Sequence, residues 1–484
     1  MPLGLGCGAG RWEGRGVVGW WGWGWGWGDG RMGMIGQTFA IARNTFVESI
    51  RQPILFVLIV ASALMQVFNT LLSAFSMGFT EQTEVSGDDK LLLDMGLATV
   101  MVCATLLAAF VATSVLSREI ENKTALTVIS KPIGRPMFVI GKYAGVTGAI
   151  LVAATIMLVF FLFAIRHKVM STARDEVDGP VVLFGALAIV GPVALGIWGN
   201  YFYGWVFSST AIFTMFPASL AAYALTLTIG KEWEFQSIST DFKGEIMIAA
   251  VCALLAVVVL AAVAVAASTR LGQVMTLVVC CGVFMVGLLS NHLLGRHAFV
   301  NTPIGVVREV TNPREVRLAK AGETVRITFV QPPRVELKAG MAVYYGPDPS
   351  GLGMVTPEQE AFEGDLEDSR FVTGSRAKPG LVVKSVDEGG VNPKITVVNT
   401  GGLGVWRAPE KRDYVFLTAT KSNWGMRAAW SVIPNIQAFW LVDAVTQGVK
   451  IPLRYVGMLG VYTGAQTLGL LALAVLLFQR RDVG

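Results

Sequence analysis

Charge is scarce in this chain: Asp, Glu, Lys and Arg make up 15% of its 484 residues, against 53% hydrophobic residues. A soluble domain carries about 25% charged residues, and a mean hydropathy of +0.57 excludes that class. Histidine is nearly missing, and the spacing of His167, His292 and His297 holds no metal-ligand motif. All cysteines but Cys7 lie in apolar runs, which excludes a disulfide framework. A phosphate cradle of the form Gly-x-x-x-x-Gly-Lys-Ser/Thr is absent. The nearest stretch, Gly141-Lys142-Tyr143, lacks both the glycine spacing and the hydroxyl. Ionisable residues are also rare inside the apolar runs, where ion-coupled carriers place theirs. Asp94 and the pair Asn291-His292 stand only at run ends and read as interface residues.

What remains is a polytopic membrane protein. The apolar runs 54–75, 92–116, 143–165, 246–267, 274–294 and 456–478 each come near the ~20 residues that cross a bilayer. The run 181–230 is about twice that length and reads as a hairpin of two spans, with Gly199-Asn200-Tyr201 near its middle. Residues 35–52 precede the first span and carry Phe39, Ala42, Phe46 and Ile50 at helical steps. That pattern predicts an amphipathic helix lying in the membrane interface. With about eight spans, Arg43, Arg51, the basic residues of 117–142, Arg270, Arg480 and Arg481 all fall on one side, cytoplasmic by the positive-inside rule. Both termini are then cytoplasmic, and the acidic stretch with Glu81, Glu84, Asp88 and Asp89 is an outer loop.

Two segments differ from the rest in composition. Residues 1–33 alternate Gly and Trp and are expected to be a disordered low-complexity extension, with translation starting at Met1, Met32 or Met34. An interfacial Trp-rich anchor is the alternative. Residues 296–429 are hydrophilic, with strand-like stretches at 315–318, 324–330, 380–386 and 414–420 between Pro- and Gly-rich turns. The predicted fold class is an all-α polytopic membrane protein with an inserted β-rich extracytoplasmic domain. Its units are the extension 1–33, a membrane domain 34–295, the outer domain 296–429, and 430–484 with an outer amphipathic segment, the last span and a tail. The outer domain carries no nucleophile motif, so an interaction domain is the expectation there.

The charged island 117–142 is the most informative stretch. Ile120, Leu126 and Ile129 can share one helix face, and Lys131-Pro132 stops that helix. A turn through Gly134-Arg135-Pro136 follows, and a new apolar run begins at Met137. A solvated loop that only sets topology would need the basic residues alone. A helix with a Pro-bounded turn fits a surface that another protein grips.

The order of these motifs resembles the permease subunits of type-2 ABC transporters. Glu119, Glu121 and Thr124, then Ser130-Lys131-Pro132-Ile133, then Gly141-Lys142 are similar to that family's cytoplasmic coupling helix and its exit. Ile433-Pro434-Asn435-Ile436-Gln437 resembles its outer Pro-Asn-x-Gln segment, and Phe478-Gln479-Arg480-Arg481-Asp482 its closing motif. The hairpin at 181–230 and the long outer domain depart from the usual six-span pattern. The resemblance implies a non-enzymatic permease, half of a dimeric unit with a second permease copy or a related permease, in the cytoplasmic membrane. An ABC ATP-binding subunit would bind ATP and Mg²⁺, leaving this chain without a cofactor. Its docking surface would be Glu119, Ile120, Glu121, Lys123, Thr124, Leu126, Ile129, Lys131 and Pro132. Besides the partner subunits, membrane lipid is the expected surrounding, and no nucleic acid. The rival expectation is a membrane-anchored scaffold whose outer β domain binds a partner.

Overall fold

Long apolar runs without water leave the backbone no partner but itself, and the chain answers with helices. The computed structural model describes residues 34–72, 81–117, 134–169, 177–311, 318, 320–358, 362, 364–387, 393–405, 407–448 and 450–479. The helices are α1 (Met34–Ile50), α2 (Pro53–Leu72), α3 (Glu81–Ala112), α4 (Arg135–His167), α5 (Gly179–Tyr203) and α6 (Phe207–Thr228). They continue with α7 (Gly244–Ser268), α8 (Gln273–Leu288), α9 (Trp424–Val432), α10 (Val442–Thr446) and α11 (Leu453–Gln479). Among the described residues seven helices are long and apolar enough to cross a membrane. The count reaches eight if α8 and its bent continuation are one span.

Four expectations change at the level of elements. The span placed at 143–165 starts earlier, at Arg135, because Pro136 is tolerated in a first helical turn. The span at 274–294 is broken: α8 ends at Leu288, and the segment Asn291–Ala298 leaves it at 57°. The acidic stretch 81–89, expected as a loop, is helical backbone at the start of α3. The run 181–230 is two helices, as its length implied, but the turn sits at Gly204-Trp205-Val206. Gly204 closes α5 there in the left-handed conformation (φ 67°).

Helix α1 was expected to bury Phe39, Ala42, Phe46 and Ile50 in the membrane interface. It packs along α4, with Ile50 buried and Phe39 pointing outward, 70% exposed. The reason lies in α4. A Cβ added at Gly141 would come within 2.9 Å of Ile41, and one at Gly145 within 2.5 Å of the Ala42 carbonyl oxygen. These two glycines, four residues apart, let the α1 backbone close onto α4. The buried contact residues on α1 are therefore small and polar, Thr45 and Ser49, beside Ile50.

Successive crossings divide the connections between two ends. At one end Ser208 Oγ in the first turn of α6 donates to the Arg51 carbonyl (2.6 Å), before α2 begins. At that end too Arg135 Nη1 donates to the Gln479 carbonyl (3.1 Å) and Arg270 Nε to the Leu477 carbonyl (2.9 Å). At the other end Arg166 pairs with Asp178 and, at 3.0 Å, with Asp241. Lys90 meets Asp443 (2.7 Å) there as well.

The β region rises from that second end. Strands β1 (Phe299–Val300) and β8 (Lys421–Ser422) pair at its root, Phe299 opposite Ser422. Between them lie β2 (Pro303–Thr311), β3 (Thr324–Phe329), β4 (Tyr344–Gly346), β5 (Gly380–Asp387), β6 (Lys394–Thr400) and β7 (Tyr414–Phe416). They form a six-stranded sheet in the order β4-β7-β2-β3-β6-β5, each adjacent pair antiparallel. Alternation along β2 and β3 sends Val307, Val325, Ile327 and Phe329 into its core. The stretch expected as a strand at 315–318 lies, apart from Leu318, outside the described residues, and the one at 414–420 shortens to β7. Tyr345 donates to the Arg407 carbonyl (2.5 Å), and burial raises its hydroxyl above the ordinary tyrosine range. Arg407 in turn holds Asp413 at 2.7 Å.

Close packing of α1 on α4 predicts that Gly145→Leu is destabilising, by the 1–3 kcal/mol typical of overpacking, roughly. Gly460→Leu on α11, where an added Cβ meets nothing within 4 Å, is expected to be tolerated. Thermal unfolding of both variants in detergent is the measurement. Equal melting temperatures would contradict the seam.

Candidate functional site

The residues predicted to dock a partner, Glu119, Ile120, Glu121, Lys123, Thr124, Leu126, Ile129, Lys131 and Pro132, all lie outside the described residues. The frame on either side of them is described. Helix α3 ends in a π-helical turn, Thr113–Ser117. Thr113 Oγ1 donates back to the Ala109 carbonyl (2.8 Å) and Ser114 Oγ to that of Val111 (2.9 Å). On the far side Gly134 is extended and α4 begins at Arg135. Arg135 and Arg270 both bond carbonyls in the last turn of α11, where a helix leaves its acceptors unpaired and favours positive charge. Phe138 stacks on Phe478 beside them, ring centroids 5.7 Å apart. The start of α4 and the residues after α7 are thus fastened to the end of α11 where the 118–133 segment attaches.

The Gly-Lys pair that closes this stretch has a structural part to play. Gly141 admits α1, while Lys142, only 4% exposed, places its Nζ 3.9 Å from Glu48 Oε2 on α1. The ammonium also lies 5.6 Å from the centroid of the Phe138 ring. One turn of α4 therefore connects the exit of the 118–133 segment to α1, and Tyr143 next to it donates to the Val258 carbonyl on α7 (3.2 Å).

A second assembly lies deeper, around the Pro-Asn-x-Gln stretch that was legible only as a resemblance. Helix α9 carries the chain into the bundle, residues 433–441 turn it, and α10 leads out again toward α11. Ser431 is reached by Gln466 Nε2, which donates to its carbonyl (2.8 Å), and Gln466 stands about 20 Å along α11 from Leu453. A Cβ on Gly287 would lie 2.6 Å from the Pro434 carbonyl oxygen, and Gly287 is about 21 Å along α8. Residues 431–436 therefore reach the middle depth of the spans.

Irregular backbone at that depth survives only if protein groups satisfy it. Asn435 does much of this. Its Nδ2 donates to Asn291 Oδ1 (2.7 Å), its Oδ1 accepts from the Ala438 N–H (3.3 Å), and its own N–H donates to the Tyr462 hydroxyl oxygen (2.8 Å). Tyr455 donates to the Ala438 carbonyl (2.7 Å), and Trp440 Nε1 to Asp94 Oδ1 (3.2 Å). Asp94 and Asn291, which the sequence suggested as interface residues, thus belong to a network that joins α3, the bent end of α8 and α11. Gln466 and Tyr462 were missed. Polar side chains inside an apolar run were the available signal. Among the described residues no group of three or more His, Cys, Asp or Glu could hold a metal.

Comparison with known proteins gives a match over part of the chain. The model of a family described as ABC-2 family transporter protein matches residues 39–198, from α1 into α5 and across both attachments of the 118–133 segment. No curated protein and no solved structure matches the chain.

The Asn435 network predicts a local effect. Asn435→Ala would leave Asn291 Oδ1 without its donor, a loss of about 1–3 kcal/mol for a buried polar group. Hydrogen exchange at residues 431–440 is expected to accelerate in the variant, while exchange in α4 stays unchanged. Unaltered protection at 431–440 would remove Asn435 from this role.

Proposed function

We propose that this chain, an ABC-2-type permease and a multi-pass membrane protein, is the transmembrane half-unit of an ATP-driven exporter in the cytoplasmic membrane. It works with a second permease copy, and a separate ABC ATP-binding subunit carries ATP and Mg²⁺. That subunit docks on the 118–133 segment. Ile120, Leu126 and Ile129 give it an apolar face, and Glu119, Glu121 and Lys123 set register by charge. Thr124 and the stop at Lys131-Pro132 complete the motif.

The observation that carries this reading is the family match over residues 39–198, which brackets the segment on both sides. The fastening of Arg135 and Arg270 to the end of α11 supports it further, since a push on the segment meets anchored helices rather than a loose loop. The same basic residues favour the cytoplasmic side for this end. The termini then lie in the cytoplasm and the β region lies outside. Coupling of this kind requires that the ATP-bound partner contact two states of the permease differently.

Ile120→Asp and Leu126→Asp, each made in the full chain, are expected to abolish co-purification with the ATP-binding subunit and the transport-linked ATPase activity. Both variants should still insert and melt like the parent. Survival of the complex and its activity in both would refute the docking surface.

A further inference from the structure

The α5–α6 hairpin is held to the bundle along α6, which packs on α4, and by contacts at its two ends. At one, Arg166 of α4 pairs with Asp178, whose other oxygen caps α5 by accepting from the Val181 N–H (3.2 Å). At the other, Phe207 packs on Phe56 (5.0 Å) and Phe213 on Phe46 (6.2 Å), edge to face. Between these clamps, α2, α4 and α5 leave a cavity of about 310 Å³, within the size range of ligand sites.

The cavity runs along α2 from Ala63 to Thr70 and along α5 from Val181 to Ile189, about 10–12 Å by helical rise. That is most of the ~15 Å half-thickness of a bilayer's hydrocarbon. Its edges are Val67 on α2 and Val182 on α5, 61% and 51% exposed. Leu64 and Phe68 on one side, and Leu183 and Leu187 on the other, extend the same exposed apolar surface. Both helices are membrane spans, so the mouth faces hydrocarbon rather than water.

The polar groups in the wall are already engaged. Gln66 Nε2 donates to the Gly96 carbonyl (3.0 Å), and its Oε1 accepts from Asn69 (3.4 Å). Thr70 donates to the Val67 carbonyl (2.7 Å). A polar ligand would find little to bond with, whereas an apolar one gains the contacts that an empty cavity forgoes. Only at the rim nearest the β region does a basic ring appear, His167, followed by Lys168.

We propose that this cavity holds one acyl chain of a membrane lipid from the leaflet on the β-region side. The chain enters between α2 and α5, with its headgroup at the level of His167 and Lys168. The occupant is bilayer lipid because the mouth is continuous with the lipid-facing surface of both helices. This goes beyond the transport reading and does not depend on it, since only the membrane setting is used.

The test fills the cavity from within. An added Cβ at Gly185, in the wall, meets nothing within 4 Å, and the same holds at Gly191, further along α5 and outside the lining. The full chain and its Gly185→Phe, Gly185→Leu and Gly191→Phe variants are reconstituted in phosphatidylcholine vesicles doped with a phosphatidylcholine carrying a mid-chain diazirine. After photolysis, lipid adducts are mapped by mass spectrometry, and thermal unfolding verifies that each variant is folded. The parent and Gly191→Phe are expected to carry adducts within residues 160–167 and 181–189. Gly185→Phe should reduce these at least fivefold, and Gly185→Leu less. Equal labelling in parent and folded Gly185 variants would mean that lipid only surrounds the helices, which overturns the proposal. Absence of adducts at these residues in the parent would overturn it as well.

Discussion

Everything in the membrane part of this protein follows from one constraint: hydrocarbon offers no hydrogen-bond partner, so each departure from a straight helix must be satisfied by the protein. Three departures among the described residues show their partners. The π-turn at the end of α3 is bridged by Thr113 and Ser114. The bend after α8 places Asn291 where Asn435 can reach it. The turn through 431–441 is held by Tyr455, Tyr462 and Gln466 of α11, and its own Trp440 reaches Asp94 of α3. Two of these departures lie where the function is expected to act, next to the 118–133 segment and at middle depth among the spans. The breaks cost stability locally and are retained with their bonds made.

A second layer of organisation comes from small residues. Where association in lipid cannot rely on expulsion of water, close approach supplies the attraction. Gly141 and Gly145 draw α1 against α4, and the polar pair Lys142 and Glu48 is admitted beside them. The packing explains why a lysine can stand inside a long helix without breaking it: its stem lies in the seam and its ammonium meets a carboxylate and an aromatic ring. Helix α4 thereby touches α1, α7 and α11 within its first three turns, so displacement of its start moves several elements together.

Much of this was legible in the sequence, and what was not has physical reasons. Apolar run length alone separated α5 from α6, since no single span needs fifty residues. Hydropathy could not see that α4 begins at Arg135, because charge at 135 and 142 reads as loop until Glu48 and the α11 carbonyls are in place. The seam of α1 with α4 was hidden for a related reason. Periodicity assigns the large apolar side to the buried side, whereas a glycine-lined partner prefers the small one. In the β region, β3 and β5 announced themselves by alternation. The two-residue strands at the root and the three-residue β4 are too short to carry any pattern. Of the candidate site, the docking motif was readable as a motif. The Asn435 network depends on contacts across more than 140 residues of chain, which no local pattern encodes.

The hairpin shows how an added element can be joined to an existing bundle. Within the bilayer its outer faces are apolar, so the hydrophobic effect does not tell it where to sit, and specificity must come from its ends. Arg166 provides it at one end. Its guanidinium is largely buried between Asp178 and Asp241, and such a group is costly to bury unless both partners are present. Asp178 is nearly inaccessible and at the same time begins α5, so the ion pair and the helix start are one event. Asp241 lies beyond α6 and receives Gln236 as well (2.5 Å). One arginine on α4 therefore fixes both ends of the sequence that forms the hairpin, and a mismatch would leave a buried charge without its counterpart. Between this clamp and the aromatic contacts at the opposite end, α5 need not touch α2 along its length. The gap that results lies on the α5 side, since it is α6 that makes the continuous seam along α4.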